Sequence, residues 1–238
     1  MLTTLLMCAH AATPEEVLAR VSEISPLRGD RLTQGAPPIP EEMYREAAAG
    51  KVPTGLMSVE GAAAKKAYGV AIVDVPIDRL WAAINDDAGK LEVTRLSYAE
   101  ILEGSACSAP RTIFQYLPTP MVLADRWWVV DIAYNHPVSE ASGGRVREMR
   151  WKSDGTRKPT TGEAATWAER GVPLEFNEGA WLLIDLDGSS TLIEYFTWSD
   201  PGGNLPAGLV SSFSAGGISR LLEDVAQLAR SGPGCPIQ

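Results

Sequence analysis

The segment from Trp181 to Arg230 restricts the fold of this chain more than any other part of the sequence. It predicts a strand, a tight turn at Asp187-Gly188, a second strand, a break from Asp200 to Pro206 and then one long helix. Asp-Gly between two alternating apolar runs is typical of a β-hairpin. A helix of about 25 residues is roughly 37 Å long, so it can cross a whole sheet. We therefore expect a helix that lies across a curved sheet, an arrangement that can enclose a cavity.

The helix predicted after Pro206 has one apolar face and a weak point. Its apolar stripe and the side chains beside that stripe are Leu209, Val210, Phe213, Ile218, Leu221, Leu222, Val225 and Leu228. Gly216-Gly217 lies in the middle of the helix, where each glycine costs about 1 kcal/mol relative to alanine. Two interpretations of this pair are open. The helix packs closely against a strand there, or it bends there when a ligand enters.

The residues before this segment predict an antiparallel sheet. Alternating apolar residues predict a first strand that begins near Lys66, and apolar residues at helical spacing predict a helix over 76–84. Further strands are predicted at 95–104, 111–117, 124–135, 144–154, 177–187 and 190–199. Because strands in series with short turns form a meander and not a parallel βαβ sheet, the predicted fold class is α+β.

The N-terminal part of the chain predicts short helices. Thr13-Pro14-Glu15-Glu16 is a helix start, with Thr13 as the N-cap and Pro14 in the first turn. A linker at 33–40 precedes a second short helix that ends near Ala49. We divide the chain into residues 1–12, a helical extension at 13–60 and a sheet-and-helix domain at 61–232.

Charge and metal-ligand content exclude two classes of function. The chain has 238 residues, a net charge of -9 and a pI of about 4.8. Lys and Arg that neutralise phosphates supply most of the affinity for nucleic acids, so we expect no nucleic-acid partner. The three cysteines and two histidines show no zinc-type spacing, so we expect no metal and no other cofactor.

The first twelve residues, MLTTLLMCAHAA, fit either a signal peptide or a frayed N-terminal tail. Ala9-His10-Ala11 has the small-x-small pattern of a cleavage site, but the basic residues that usually precede the apolar segment are missing. A signal peptide implies a secreted or periplasmic protein, in which Cys107 and Cys235 could form a disulfide. Without a signal peptide the protein is cytoplasmic. No apolar run reaches the roughly 20 residues that a membrane-spanning helix needs.

The strand predicted at 124–135 has one face without acidic residues, and we assign that face to the interior. The face consists of Arg126, Trp128, Val130, Ile132 and Tyr134. Arg126 is the charged member at one end of this apolar face. Because an unpaired buried charge is costly, Arg126 needs a partner, either a protein carboxylate or a polar group of a ligand.

Two other strands contribute to the same interior. The strand at 144–154 is expected to point Met149 and Trp151 inward. In the strand at 190–199 two faces compete for the interior. The first face has Ile193, Tyr195 and Thr197, and the second has Leu192, Phe196 and Trp198. Seven tryptophans suit the walls of an apolar ligand pocket, and they equally suit an ordinary core.

Three segments, in the same order along the chain, together point to one family. They are Ala124 to Val130, the hairpin from Gly179 to Tyr195 with Gly188 at its turn, and Asp200 to Pro206 at the entry to the last helix. On these segments the chain resembles the StAR-related lipid transfer (START) family, within the Bet v 1-like helix-grip superfamily. The resemblance covers roughly residues 60–230, and it implies a curved antiparallel sheet that grips a long C-terminal helix around a hydrophobic tunnel.

The resemblance also implies a ligand and a function. In the family the tunnel holds a sterol, a phospholipid or another apolar molecule, so we expect binding and intermembrane transfer of an apolar lipid by a monomer with transient membrane contact. Trp127 stands where the family has an aspartate, and Ile132 stands where sterol-binding members can carry a second arginine. A tunnel without that arginine is more apolar, and this weakens a specific assignment to cholesterol. The extension before residue 60 has no counterpart that the sequence identifies.

The expected ligand-binding residues come from the inner faces of the strands and from the last helix. They are Tyr116, Arg126, Trp128, Val130, Ile132, Met149, Trp151, Tyr195, Leu209, Val210 and Phe213. No residue is assigned a catalytic role.

Two other functions are open. A cyclase, hydratase or hydrolase of this superfamily would need an acid or base in the cavity, for which Glu194, Asp131, Tyr134 and His136 are the candidates. A protein-interaction module would use the helical extension. The polar insertion at 157–175 could serve as a lid or a docking loop, or it is a solvated loop in which Trp167 packs on the body of the protein.

Overall fold

The computed structural model describes residues 12–119, 123–153, 155–200 and 207–237, and for residues 207–215 it describes the backbone alone. Within these ranges the chain forms nine strands in one curved sheet, with helices on both of its faces. The strands are β1 Thr54–Met57, β2 Lys66–Val73, β3 Tyr98–Glu103, β4 Arg111–Leu117, β5 Arg126–Tyr134, β6 Val146–Lys152, β7 Val172–Pro173, β8 Phe176–Asp185 and β9 Thr191–Asp200. The helices are α1 Pro14–Glu23, α2 Glu41–Ala48, α3 Ile77–Asn85, α4 Asp87–Val93, α5 His136–Ala141, α6 Gly162–Ala168 and α7 Ala207–Ser231, and a 3-10 helix spans Ser25–Asp30.

The sheet is antiparallel along its main path, in the order β1-β2-β9-β8-β6-β5-β4-β3. The short strand β7 pairs in parallel with β5 at one end. The predicted hairpin is present, since β8 and β9 pair in antiparallel register. In its turn Asp187 accepts hydrogen bonds from Ser189 and Ser190, and Gly188 has a left-handed conformation. These observations confirm the predicted α+β helix-grip fold. The sheet begins at β1, inside the range that the sequence assigns to the extension.

Helix α7 lies across the inner face of the sheet, where it contacts β1, β2, α3 and α4. The C-terminal half of α7 supplies the buried side chains Ile218, Leu222, Val225 and Ala229 to the main core. Close approach to the sheet depends on Gly69 in β2, where an added Cβ would lie 2.7 Å from Cγ2 of Ile218. The glycine that the packing requires is therefore in the strand and not in the helix.

The N-terminal extension covers the outer face of the same sheet. Helix α1 begins with the predicted N-cap Thr13, which forms a capping box with Glu16: each side chain accepts a hydrogen bond from the other residue's backbone N–H. Buried side chains of the extension pack against outer-facing side chains of β2, β6, β8 and β9. This outer core includes Val17, Ile24, Tyr44, Ala47, Val70, Val146, Leu182, Ile184 and Leu192. The sheet is thus buried on both faces.

The insertion at 157–175 is a structured cover for the outer face at the other end of the sheet. It contains α6, whose Ala164 and Ala168 pack with outer-facing aromatic side chains of β4 and β5. Trp167 stacks on Tyr98 with ring centroids 5.2 Å apart. Because α6 and Trp167 pack on the sheet, the insertion is not a solvated loop. It lies on the side of the sheet opposite α7, so it is not a lid over the interior.

A disulfide joins Cys107, in the loop between β3 and β4, to Cys235, in the tail after α7. The two cysteines are 128 residues apart in sequence, so the bond connects the β3–β4 loop to the tail that follows α7. In the part of the chain that the structure describes, no helix is long and apolar enough to span a membrane.

Candidate ligand-binding site

The inner face of the sheet brings most of the predicted ligand-binding residues together. Val130, Ile132, Met149, Trp151 and Tyr195 lie in the main core with α7, and Trp128 packs against it. This placement follows from the strand period of two, since residues 128, 130 and 132 of β5 share one face. Whether these side chains contact a ligand stays a prediction.

Strand β9 resolves the competition between its two faces. Ile193 and Tyr195 point inward into the main core, and Leu192 points outward into the core beneath the extension. The ring of Tyr195 packs on Trp181 and Trp151, with centroid distances of 4.7 and 5.5 Å. These three rings form an aromatic wall on the inner face.

Tyr116 is the exception among the predicted site residues, because it lies on the outer face. Its hydroxyl donates a hydrogen bond of 2.7 Å to Asp125, and its ring packs with Trp127 and Trp167. Strand β4 points Ile113 inward, so Tyr116, three residues later, has the opposite orientation. Its predicted place in the ligand site is therefore wrong.

Three predicted site residues, Leu209, Val210 and Phe213, belong to the first part of α7. Their side chains lie outside the described residues. The backbone places them in the N-terminal half of the helix, before Gly216.

Arg126 is buried at the start of β5 and donates a hydrogen bond to the carbonyl oxygen of Ala124. Burial lowers the pKa of its guanidinium below its ordinary value, and the charge of Asp125 opposes that effect. A backbone carbonyl therefore supplies one of the partners that the sequence required for this charge.

A second buried arginine, Arg111 at the start of β4, is the centre of a polar cluster that the sequence did not reveal. Its Nε donates to Oδ2 of Asp87 at 2.9 Å, and its Nη1 donates to Oδ1 of Asn85 at 3.2 Å. The hydroxyl of Tyr134 lies 3.2 Å from the same Nη1 and donates to Asn85 at 2.7 Å. Lys90 lies 2.8 Å from the other oxygen of Asp87. We call Asn85, Asp87, Lys90, Arg111 and Tyr134 the arginine cluster.

The arginine cluster faces the interior of the grip. Arg111 pairs in register with Ile132 and precedes Ile113 by two residues, and both isoleucines belong to the main core. The exposed fraction of the Arg111 side chain is 0%. Its Nη2 atom has no hydrogen-bond partner among the described residues. A buried N–H without a partner costs free energy, and a ligand oxygen would remove that cost.

The charges of the cluster do not balance. Burial raises the pKa of Asp87, but Lys90 and Arg111 lower it more, so the net effect is a pKa below the ordinary value and an ionised carboxylate. Burial raises the pKa of Tyr134, which therefore remains a neutral hydrogen-bonding group. Two cations, Lys90 and Arg111, thus face one anion within the cluster. This surplus of positive charge favours a ligand group that is anionic or a strong hydrogen-bond acceptor.

No local pattern in the sequence indicates this cluster. Asp87 and Arg111 are separated by a whole strand and two turns, and α4 is too short to show a clear helical period. The useful signal was the charged residue Arg111 two positions before the inward-facing Ile113, at the start of an otherwise apolar strand.

The acid–base candidates are spread over both faces of the sheet. Glu194 is buried on the outer face, and Asp131 is half exposed there and pairs with Arg157 at 2.7 Å. His136 is exposed at the start of α5. Only Tyr134 reaches the arginine cluster. In the described residues no group of three potential metal ligands occurs.

A small cavity of about 140 Å³ lies between α3 and α5. Trp81, Tyr134, His136 and Arg147 are among its lining residues. A cavity of this size holds about one benzene ring, so it is too small for a lipid.

The arrangement of a curved antiparallel sheet around a long C-terminal helix is a helix-grip fold, and solved START structures share it. Human StAR-related lipid transfer protein 5 matches with a TM-score of 0.61 and 14% identity, over 90% of this chain and 98% of that protein's. A STAR-related lipid transfer protein fragment from Xanthomonas axonopodis matches with a TM-score of 0.60 and 16% identity, over 75% and 93% of the two chains. Human STARD10 matches with a TM-score of 0.62 and 14% identity, over 76% and 69%.

These likenesses confirm the resemblance drawn from the sequence at the level of the fold. No protein-family model and no curated protein matches the sequence.

Proposed function

We propose that the protein binds an apolar ligand with one polar end between the inner face of the sheet and α7. The observation that carries this proposal is the buried guanidinium of Arg111, which lies at the edge of an aromatic inner face and has an Nη2 atom without a partner among the described residues. Such a group binds a carbonyl, hydroxyl or carboxylate oxygen. The apolar body of the ligand would then lie along the inner face.

Differences in exposure among the inner-face side chains indicate where the apolar part of the ligand would lie. Ile113, Leu183 and Ile193 are 0% exposed, but Trp151 and Tyr195 keep exposures of 9% and 8%, and Trp128 is partly exposed. The C-terminal half of α7 is packed into the core. We therefore place the ligand next to these aromatic side chains, on the side of the N-terminal half of α7.

The distance along β5 from Trp128 to the register partner of Arg111 suits an extended ligand chain. Trp128 and Ile132 are four residues apart on β5, which is about 13 Å along a strand, and Ile132 is the register partner of Arg111. Each CH₂ group that leaves water along this path contributes about 0.8 kcal/mol. Burial of the chain would supply most of the affinity, and Arg111 would select the end group.

We extend the proposal to lipid transfer between membranes, with transient membrane contact by a monomer. Two of the similar structures are named lipid transfer proteins, and this supports a lipid as the ligand. We also propose a secreted or periplasmic location. The Cys107–Cys235 disulfide supports it, because disulfides persist mainly in oxidising compartments.

The binding proposal is tested with dansyl-labelled undecanoic acid as a fluorescent probe. Wild-type protein should bind it saturably, and Arg111→Met should weaken binding about tenfold or more, because a hydrogen bond to a charged group contributes about 1.5–3 kcal/mol. Arg157→Met is the matched control, since Arg157 pairs with Asp131 on the outer face. It should bind the probe as the wild type does.

Circular dichroism and chemical unfolding of both variants check that they fold. Absence of saturable probe binding by the folded wild-type protein would overturn the proposal. Transfer is tested separately, by following a fluorescent phospholipid between donor and acceptor vesicles. The protein should increase the transfer rate in proportion to its concentration.

A further inference from the structure

The Cys107–Cys235 disulfide lies beside the arginine cluster, and each of its two segments contacts that cluster or the helix that supplies it. One segment is the loop 104–110 between β3 and β4, which we call the cysteine loop. The other is the tail at 232–237, after α7.

The cysteine loop holds Arg111 through its backbone. The carbonyl oxygen of Ser108 accepts a hydrogen bond of 2.6 Å from Nη1 of Arg111. Little of this loop is packed against the body of the protein, since its residues Gly104, Ser105, Ala106 and Pro110 are exposed. Cys107 has a φ of 61°, a left-handed conformation that is uncommon for residues other than glycine. The bond to Cys235 is the covalent attachment of this residue to the tail.

The tail holds the helix that carries the other charges of the cluster. The N–H of Gly234 donates to Oδ2 of Asp86 at 2.6 Å, and Asp86 caps α4 by accepting from the N–H of Gly89 at 2.9 Å. Helix α4 contains Asp87 and Lys90, the partners of Arg111. Cys235 is buried next to these contacts. The disulfide therefore connects the loop that carries the Ser108 carbonyl to the tail that contacts α4, and these two elements hold Arg111 from opposite sides.

We propose that this disulfide positions Arg111 for the ligand, so that ligand affinity depends on the redox state of Cys107 and Cys235. The inference rests on the proposed function, since it assigns a control to the same site. In the oxidised protein Ser108 and Asp87 hold the guanidinium so that Nη2 faces the ligand. In the reduced protein the cysteine loop and the tail are no longer joined. Ser108 and Asp87 then hold the guanidinium less firmly, although Asn85 and Tyr134 still contact Nη1, and its orientation toward the ligand is weakened.

The reductant is a dithiol. Its thiolate attacks Sγ of Cys107, the more exposed of the two sulfurs, and the bond to Sγ of Cys235 breaks. Cys235 leaves as a thiolate and takes up a proton. The second thiol of the reductant then displaces Cys107 from the mixed disulfide. Two electrons and two protons pass to the protein, which gains two thiols, and the dithiol becomes a disulfide.

The test compares two probes that differ only in their end group, dansyl-labelled undecanoic acid and its methyl ester. Their affinities are measured for the oxidised protein, for the protein reduced with dithiothreitol, and for a Cys107→Ser/Cys235→Ser variant. Reduction and the double substitution should each weaken binding of the acid about five- to tenfold, because the oriented charge-assisted hydrogen bond is lost. Binding of the ester should change less than about twofold, because burial of the chain dominates its affinity.

Two further measurements keep the result interpretable. Dithiothreitol should leave the double variant unchanged, which excludes an effect through Cys8 or the fluorophore. Hydrogen exchange should become faster in the cysteine loop on reduction, while exchange in β8 and β9 stays the same. If the double variant does not fold, the reduced wild-type protein supplies the same comparison.

Each outcome decides the proposal. Equal affinities for the acid in the two redox states would overturn it and leave the proposed function intact. An equal loss for the acid and the ester would show general loosening of the fold, and this also overturns a positioning role. Failure of the oxidised protein to bind either probe would overturn the proposed function, and the redox inference with it.

Discussion

At the scale of the residue, adjacent tryptophans in β5 have opposite surroundings. Trp128 is on the inner face, where its indole N–H donates to Gln115 at 2.8 Å, and it is partly exposed. Trp127 is buried on the outer face, between β4 and α6. Their similar chemistry and opposite orientation make them a matched pair for separating ligand binding from stability.

The substitution Trp128→Ala should weaken binding of dansyl-labelled undecanoic acid more than Trp127→Ala does. Trp127→Ala should instead lower the free energy of unfolding by about 3 kcal/mol or more, because it leaves a cavity in a closed aromatic core. Probe titration and urea unfolding of both variants measure the two effects. Equal losses of affinity in two folded variants would contradict the assignment of the inner face to the ligand.

The sequence predicted the orientation of side chains better than their partners. The inward direction of Trp128, Val130 and Ile132 followed from the absence of acidic residues on one face of a strand. The pairing of Arg111 with Asp87 could not be predicted, because it depends on how α4 packs against α7 and β3. Tyr116 was misplaced because its strand has aromatic residues on its outer face, where α6 covers them.

At the scale of the element, α7 has two unequal halves. Its C-terminal half is packed against α3, α4 and β2. Gly216 and Gly217, at the junction, are exposed, and an added Cβ at either position would meet nothing within 4 Å. Close packing against the described residues therefore does not explain these glycines, and the hinge stays a prediction.

Replacing Gly216 and Gly217 with alanine should stabilise α7 by about 1 kcal/mol for each substitution, because alanine has the higher helix propensity and nothing obstructs its methyl group. If the pair is a hinge, the double variant should also bind the probe more slowly, in a stopped-flow measurement. The matched control is Gly69→Ala, which should destabilise the protein because its Cβ would clash with Ile218. Stabilisation without any change in the rate of binding would contradict the hinge.

The elements that the sequence missed are short and depend on tertiary contacts. The six strands predicted from residue 95 onward are all present with small shifts at their ends. Helices α4 and α6 were not predicted, because each has seven residues and a polar or glycine-containing sequence. They are stable because they pack on the core, a contribution that local propensity does not include.

At the scale of the whole molecule, the extension is tied to the sheet by two buried carboxylates. Glu194 in β9 accepts hydrogen bonds from Arg28 at 2.5 Å and from Tyr44 at 2.7 Å. Glu148 in β6 accepts from Arg31 at 3.1 Å and from the N–H of Leu32 at 2.8 Å. Displacement of the extension would remove every charged partner of Glu194 and would leave Glu148 only the hydrogen bond from Asn135. The extension is therefore an integral part of the folded protein.

These contacts predict that stability falls in acid. Burial raises the pKa of Glu194, but hydrogen bonds and charges from Arg28 and Arg31 lower it more, so its pKa in the folded protein is below its ordinary value of 4.5. A lowered pKa contributes stability above the unfolded-state value, and this contribution is lost as the pH falls through the folded-state value. The free energy of unfolding in urea should therefore decrease as the pH falls from about 5 toward 3.

The variant Glu194→Gln should lose about 3 kcal/mol at neutral pH, because it breaks a buried ion pair, and its stability should depend less on pH in the acid range. Glu15→Gln is the control. Glu15 pairs with Arg45 at an exposed position, and its substitution should leave both the stability and its pH dependence nearly unchanged. A Glu194→Gln protein with the same acid dependence as the wild type would exclude Glu194 as the source of that dependence.

The central claim, an apolar ligand held between the sheet and α7, is tested most directly by native mass spectrometry of the purified full-length protein, followed by extraction and identification of any lipid. We predict a mass above that of the polypeptide, and a lipid with an anionic or hydrogen-bond-accepting end group that is lost on unfolding. A polypeptide of unmodified mass that neither releases a lipid nor takes one up from added vesicles would contradict the claim.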